Sequence, residues 1–516
     1  MKKLSFLLLL LNGVLLAASP LKIGWGKADV TPAGPTMLHG QMGNRLAEKV
    51  LDPLSTTVLA LDDGKTRILM ISLDHCGLDT YLLKAVRSSI QKAIGIAPEK
   101  IITFVTHTHT APQYGAVIPL KDCMKPFKPV GKGKIMGKGN CGIDVAQMKK
   151  KYPDFVDSEM YFEFLVKQIT SAAVQAWKSR TPGKVAYGMG SAAIGECRRL
   201  TLDKVGGWMY ALEDDPRVLH AEGHVDNSLN VLATYTPQGQ LTGLVINLAC
   251  PSQVSEAWKV VSADYWNEVR EKVADRYGKN VHILPQCSPA GDLSPHKILN
   301  RRADERMMLL KQQQNKALPN WKWATRVYDH DYGMARRREI ARRILNALDD
   351  VLPVIGPTAK NDLIFKHVCR KLALPPRLIT AQEAAKAAKT AKFLEAHFKK
   401  EGTVYDGSLP GQLGVVERYK NPPKAFDMEL HTVRLGDVVF ATNPFELYLD
   451  YADRIKGQSR AVQTFLIQLS NGTGGYLPSF RSGTAGYGSW PSSVHVNFDG
   501  GNIVVRESVK EINALF

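Results

Sequence analysis

The chain has 516 residues, of which 44% are hydrophobic and 22% charged, a balance that suits a folded globular protein and excludes disorder as its main state. That length exceeds one simple core and suits two or three packed layers. The net charge of +18 is dispersed, with concentrations at Lys121 to Lys138, Lys149-Lys150-Lys151 and Arg336-Arg337-Arg338. It favours an anionic partner such as lipid headgroups or sulfated glycans, unless it is only a solvated basic surface, and no nucleic-acid module is present to make nucleic acid that partner.

From the N-terminus, Lys2 and Lys3 precede an apolar run from Leu4 to Leu11, and a second run ends at Ala17-Ala18-Ser19. Charged, apolar and small residues in that order form a secretory signal peptide. Residues 1–19 are therefore expected to be removed and the rest exported, to the periplasm or beyond. No later segment approaches roughly 18 uninterrupted apolar residues, so no membrane-spanning helix is expected. Apolar β-branched runs predict strands at 56–61, 67–73, 101–105, 229–235, 241–248, 282–284 and 433–442. Helical periodicity predicts helices at 81–94, 158–179, 263–277, 333–348, 381–400 and 446–456. Such alternation argues for an α/β fold of layered sheets and helices. Residues 120–151, rich in Lys, Gly and Pro, read as a basic surface loop, and the polar stretch 299–331 as a helical insertion. No internal repeat of fixed period is visible.

Among the seven cysteines there is no CxxC, which supports neither a zinc ribbon nor a redox motif, and the odd count leaves a thiol unpaired within one chain. Cys123 and Cys141 flank the basic loop and are the pair best placed for a disulfide.

The sharpest local signal is Thr106-His107-Thr108-His109-Thr110-Ala111-Pro112, directly after the strand at 101–105. On strand alternation, His107 and His109 point to one side, at the carboxyl end of a strand where α/β sites tend to lie. Two imidazoles there can hold a metal, or one can hold it while the other donates hydrogen bonds; two histidines of a hydrogen-bonded turn give the same pattern. Gly291-Asp292-Leu293-Ser294-Pro295 follows another strand and puts a hydroxyl on a turn stiffened by Gly and Pro. It is not the GxSxG elbow. Residues 471–501 combine glycine with Tyr476, Tyr487 and Trp490, the composition of a tight loop wrapped over a site.

Taken in order, these motifs resemble the catalytic N-terminal domain of the neutral (non-lysosomal) ceramidase family. The shared series runs from Gly24-Trp25-Gly26-Lys27-Ala28-Asp29-Val30-Thr31-Pro32 through the Gly40-Gln41 turn and Asp52-Pro53-Leu54 to the histidine motif. It continues with Cys197-Arg198-Arg199, Val225-Asp226-Asn227, the Gly291–Pro295 turn, Asn443-Pro444-Phe445-Glu446 and Gly474-Gly475-Tyr476. The resemblance covers almost the whole mature chain and implies a single large hydrolase domain over residues 20–516. The sequence ends at Phe516, and the C-terminal immunoglobulin-like domain of family ceramidases is not expected.

Position by position, the resemblance implies that His107 is a zinc ligand, with Glu446 the carboxylate ligand and Tyr476 the phenolic one. His109 matches the substrate-side partner, Ser294 the serine required for catalysis, and Arg198, ahead of Arg199, the arginine that contacts the reacting group. Each residue also has a structural reading. Glu446 can favour a helix N-terminus, Tyr476 can pack in its loop, Ser294 can cap its turn, and Arg198 can form a surface ion pair. The second zinc-binding histidine of the family is missing, since the strand at 241–248 runs on through Ala249 into Cys250-Pro251-Ser252-Gln253. Cys250 is a candidate replacement, zinc–thiolate bonds being about 2.3 Å, or else a small buried apolar residue. Asp264 is a further candidate oxygen ligand.

The chemistry implied is amide or ester hydrolysis of an N-acyl, ceramide-like lipid. A zinc ion would polarise the carbonyl and lower the pKa of water to about 7, Arg198 and His109 would stabilise the oxyanion, and Ser294 would attack or hydrogen-bond the intermediate. The missing histidine and the basic loop keep two alternatives open. One is a related esterase, lactonase or glycan-processing hydrolase acting on a polar or anionic substrate. The other is a metal-free binding protein with the same fold.

Overall fold

A computed structural model describes residues 20–41, 43–115, 143–211, 214–313, 329–401, 408–482 and 486–516. The expected signal peptide, the Cys123–Cys141 pair and most of the basic loop lie outside the described residues. Three sheets carry the fold. The first contains β1 (Lys22–Asp29), β2 (Ser55–Asp62), β3 (Arg67–Leu73) and β4 (Ile101–Val105), in the order β4-β3-β2-β1 with Thr181–Pro182 at the edge. The second contains β5 (Lys184–Ser191), β6 (Ser228–Tyr235), β7 (Leu241–Leu248) and β8 (His282–Cys287), in the order β8-β7-β6-β5. The third, in the order β9-β10-β11-β12, contains β9 (Phe365–Leu374), β10 (Phe426–Leu435), β11 (Val438–Thr442) and β12 (Gln463–Ile467).

One unit recurs in all three sheets. An antiparallel hairpin (β2–β3, β6–β7, β10–β11) is followed by a helix and then by a strand that pairs in parallel with the second hairpin strand. The intervening helices are α1 (Thr80–Ile94), α3 (Trp266–Tyr277) and α5 (Leu449–Gln458). Parallel neighbours need such a crossover because their ends lie at opposite edges of the sheet.

Alternate residues decide which face each strand buries. In β3, Leu69 and Ile71 pack outward under α1 and α2 (Ser158–Lys178), while Ile68 and Met70 face inward. In β7, Leu244 and Ile246 meet the side of α3 and α4 (His330–Ile355), while Val245 faces inward. In β11, Val439 and Ala441 share a cluster with residues of α5 and α6 (Phe498–Ala514), while Val438 and Phe440 face inward. The inward faces of all three sheets form one central cluster, to which Leu59, Phe104, Leu232, Leu284, Val433 and Phe465 also belong. Both faces of each sheet are thus covered, and this is why the strands read as unbroken apolar runs rather than as alternating ones.

Four predicted elements need correction. The stretch 433–442 is not one strand but the hairpin β10–β11, which turns at Gly436 (φ 64°) and Asp437. The helix predicted at 446–456 starts only at Leu449, because Glu446–Leu447 is a short strand paired in parallel with Tyr476–Leu477. The helix predicted from 263 also starts late, at Trp266, since Asp264 adopts a left-handed backbone (φ 55°). Part of the region read as basic loop is helical, at Val145–Lys151. Among the described residues, no helix is long and apolar enough to cross a membrane.

Candidate active site

Most residues singled out from the sequence collect, together with Cys76 and Gln253, at the carboxyl ends of the parallel strand pairs. Cys76 follows β3, and His107 and His109 follow β4; Gln253 follows β7, and Gly291 to Ser294 follow β8; Glu446 follows β11, and Tyr476 follows β12. The three repeated units therefore converge on one place, each contributing the loops after its last two strands.

His107 does not extend β4. The strand ends at Val105, and His107 has φ 66°, a conformation costly for a residue with a Cβ. Its amide donates to His75 O at 2.9 Å, so the turn is tied to the end of β3. The rings of His107 and His109 meet through this turn rather than through strand alternation. Their Nε2 atoms lie 3.4 Å apart, with the ring planes at 87°.

Hydrogen bonds orient both rings. His107 Nδ1 lies 2.6 Å from the Cys76 carbonyl oxygen and must donate to it, which leaves Nε2 facing Glu446 Oε2 at 3.4 Å. Arg198 Nη1 donates to Gln253 Oε1 at 3.5 Å, and this orients the amide so that Gln253 Nε2 donates to His109 Nε2 at 2.8 Å. The His109 proton then sits on Nδ1, which faces Glu256 Oε2 at 3.6 Å. Gln41 Nε2 donates to the same carboxylate oxygen at 3.1 Å.

Arg198 is buried and spans the site. Its Nη1 donates to Tyr210 Oη at 2.7 Å, and its Nη2 donates to Gly291 O at 2.8 Å and to Tyr476 Oη at 3.1 Å. Nη2 also lies 3.8 Å from Glu446 Oε2. Arg199 points away and pairs with Glu222 at 2.8 Å, so of the two arginines only Arg198 joins the cluster. The short ladder Glu446↔Tyr476 sets the carboxylate beside the phenol, which also hydrogen-bonds it.

Electrostatics follow from burial and these neighbours. Burial pushes the Glu446 carboxyl up, but His107, Arg198 and the Tyr476 bond outweigh it and hold the group below its usual value. Burial disfavours charge on His107, yet Cys76 and Glu446 raise it well above 6.5. His109 is driven well below 6.5, by burial first and then by His107 and Arg45. Burial raises Glu256 to about 7 despite Arg198 and Arg45. The Tyr476 phenol is likewise raised by burial.

The remaining candidates lie around this cluster. Ser294 is buried on a two-residue ladder opposite Glu196, beside the Cys197↔Leu293 pair, and its Oγ accepts from His296 N at 3.2 Å. The Cys250 thiol is directed at the carbonyls of Ile194 and Pro251, both at 3.7 Å, and packs in the apolar core of the second sheet. Asp264 spends its carboxylate on its own loop, accepting from Ser255 N at 2.7 Å, from Ser255 Oγ and from Tyr265 N at 2.8 Å. Among the described residues neither Cys250 nor Asp264 belongs to a group of three side chains spaced to hold a metal; Cys76, His107 and His109 form such a group.

The donor chemistry around His107 fits a zinc ion. An imidazole nitrogen, a carboxylate and a phenol converge from separate loops, and the second nitrogen of the imidazole is bonded to a carbonyl, the arrangement that aims a metal-binding histidine. Gln253, Glu256, Gln41, Tyr210 and Cys76 were not singled out from sequence as site residues. Gln41 does lie inside a motif that carried the resemblance, and Gln253 in the segment where the expected histidine is missing; these were the available signals.

No protein-family model and no curated protein matches the sequence. Solved structures match its fold. The neutral ceramidase of Pseudomonas aeruginosa superposes with a TM-score of 0.63 over 96% of this chain and 74% of its own, at 14% identity. A ceramidase complexed with C2 superposes with a TM-score of 0.62 over 96% of this chain and 75% of its own, again at 14% identity. The chain thus has the mixed α/β fold of the neutral ceramidases.

Proposed function

We propose that the protein is an exported, ceramidase-like hydrolase that cleaves the amide bond of an N-acyl lipid. The observation that carries this reading is the convergence at one point of His107 and His109 from the first sheet, Glu446 and Tyr476 from the third, and Arg198 from between the short strands Glu196–Cys197 and Arg199–Leu202. The likeness in fold to neutral ceramidases supports the substrate class.

His107, Glu446 and Tyr476 would hold zinc. When bound, zinc supplies a Lewis acid for the carbonyl and an acidified water. The chain's own groups account for the rest. Arg198, held in place by Tyr210, Tyr476 and Gly291 O, presents a fixed positive charge to the developing oxyanion. Such preorganised donors act strongly where water is excluded. His109, neutral and carrying its proton on Nδ1 beside Glu256, offers Nε2 as a proton acceptor once substrate displaces Gln253. Ser294 holds its loop through His296, whose Nε2 bonds the main-chain Gln253 O at 3.1 Å, and so steadies the Gln253 backbone.

The test is elemental analysis of the mature protein made with zinc available, followed by assay of fatty-acid release from N-acyl sphingosine in mixed micelles. About one zinc per chain with release of fatty acid is expected. Zinc far below one per chain would favour a metal-free binding protein. Zinc without amide cleavage would favour a related esterase or lactonase.

A further inference from the structure

The zinc site proposed above lacks the second histidine of the ceramidases, and the residue expected from sequence to replace it, Cys250, turns its thiol into a core. A different thiol lies at the site. Cys76 follows β3, the strand paired in parallel with β4, so its loop runs alongside the turn bearing His107. Its Sγ lies 3.9 Å from His107 Nδ1, and one ligand atom from each of Cys76, His107 and His109 lies within 4.8 Å of the others.

We infer that Cys76 supplies a thiolate ligand to the ion bound at His107, so that the metal is held by sulfur as well as by nitrogen and oxygen. The inference rests on the zinc reading above.

The backbone around Cys76 is pinned, which makes its position a built feature. Asp74 accepts a two-pronged bond from Arg270 at 2.8 and 2.9 Å, and His75 bridges to Pro112 O at 2.8 Å and to Gly77 O at 2.9 Å. The Cys76 carbonyl itself accepts the hydrogen bond from His107 Nδ1. The same residue thus orients the imidazole and places a soft donor next to it. Tetrahedral zinc with bonds of about 2.3 Å to sulfur and 2.0–2.1 Å to nitrogen separates those atoms by about 3.5 Å. Because Nδ1 is engaged with the Cys76 carbonyl, the ion would lie at Nε2, and the Cys76 thiol would turn towards it by rotation about its Cα–Cβ bond.

A second group of suitable side chains shows the contrast. Cys369, Glu429 and His431 are also spaced for a metal, but Arg87 already lies 2.8 Å from the Glu429 carboxylate and 3.5 Å from His431 Nε2. There the chain provides its own cation. No Lys or Arg makes a bond to the Cys76 thiol among the described residues.

Cobalt distinguishes the outcomes, because a cobalt–thiolate bond gives an intense charge-transfer absorption in the near ultraviolet and nitrogen or oxygen ligands do not. The mature protein is freed of metal and loaded with Co2+. The band is expected in the wild type and in Cys250→Ser, and should be lost in Cys76→Ser. Bound cobalt with no such band in the wild type, or a band that survives in Cys76→Ser, overturns the inference while leaving the zinc reading intact. A wild type that takes up no Co2+ or Zn2+ overturns both. Should Cys76→Ser fail to fold, zinc X-ray absorption on the wild type and on Cys250→Ser decides. A sulfur neighbour at about 2.3 Å in both is expected, and a shell of only nitrogen and oxygen refutes it.

Discussion

Gly291 joins the two halves of the site without contributing a side chain to it. Its carbonyl accepts from Arg198 Nη2 at 2.8 Å, and its amide donates to Leu447 O at 2.9 Å. A Cβ built on Gly291 would lie 2.3 Å from Glu446 O, 2.7 Å from Glu446 C and 2.9 Å from Tyr448 Cδ1. Ordinary van der Waals contact begins near 3.4 Å, so Gly291→Ala must push the Glu446 backbone away by about 1 Å. Overpacking of this kind costs about 1–3 kcal/mol. A chain of this length has an unfolding entropy of about 1 kcal/mol/K at roughly 2.1 cal/mol/K per residue. The melting temperature should therefore fall by only about 1–3 °C. Function is the sharper readout. A displacement of about 1 Å in a catalytic group can cost about 10²-fold in turnover, and here both the Glu446 carboxylate and the Arg198 guanidinium are displaced. The assay is kcat on an N-acyl lipid together with zinc affinity by competition with a chelator. A loss of about 10²-fold in kcat and weaker zinc binding in a folded protein are expected. Wild-type turnover and zinc affinity in Gly291→Ala would show that Gly291 does not set the site.

The two histidines should separate by readout. His107→Ala is expected to abolish zinc binding, whereas His109→Ala should keep zinc and lose turnover, as measured by elemental analysis beside activity; equal zinc loss in both variants would refute the division of roles. Glu256 should leave a mark on stability against pH. The unfolded carboxyl releases its proton near 4.5 and the folded one near 7, so stability present below pH 4.5 is lost as pH rises towards 7, by about 3 kcal/mol at 1.36 kcal/mol per unit. Glu256→Gln should lack that decline in denaturant midpoints taken between these pH values, and parallel slopes in variant and wild type would refute it.

Strands buried on both faces are the most legible elements in this sequence. The stretches 67–73, 101–105 and 241–248 fall where β3, β4 and β7 begin and end, because a short apolar run bounded by polar residues has few other fates. The errors share a cause. At 433–442 the apolar residues run through a tight Gly436-Asp437 turn that breaks the chain direction without breaking the pattern. At Glu446 the helix signal was real but began three residues late, because pairing with Tyr476, thirty residues further on, claims the first positions for a strand. No local pattern reports a partner that far away.

The candidate site was legible as a set of residues and not as a geometry. Short motifs named His107, His109, Arg198, Glu446 and Tyr476, and the structure brings all five together. What joins them is a hairpin–helix–strand unit used three times with unrelated sequences, so that no repeat is visible along the chain while the three copies point their strand ends at a common centre. This architecture also explains why Cys250 was the natural but misleading candidate. Proximity to a missing ligand in sequence fixes where the backbone arrives, not which way the next side chain turns. At the end of β7 the thiol of Cys250 faces the outer core beneath α3 and α4, and three residues later Gln253 is the side chain that enters the site. Cys76 arrives from another unit altogether, at the end of a strand whose motif carried no site residue. The parallel pairing of β3 with β4 places it beside His107, and that pairing is a property of the fold rather than of any segment read alone.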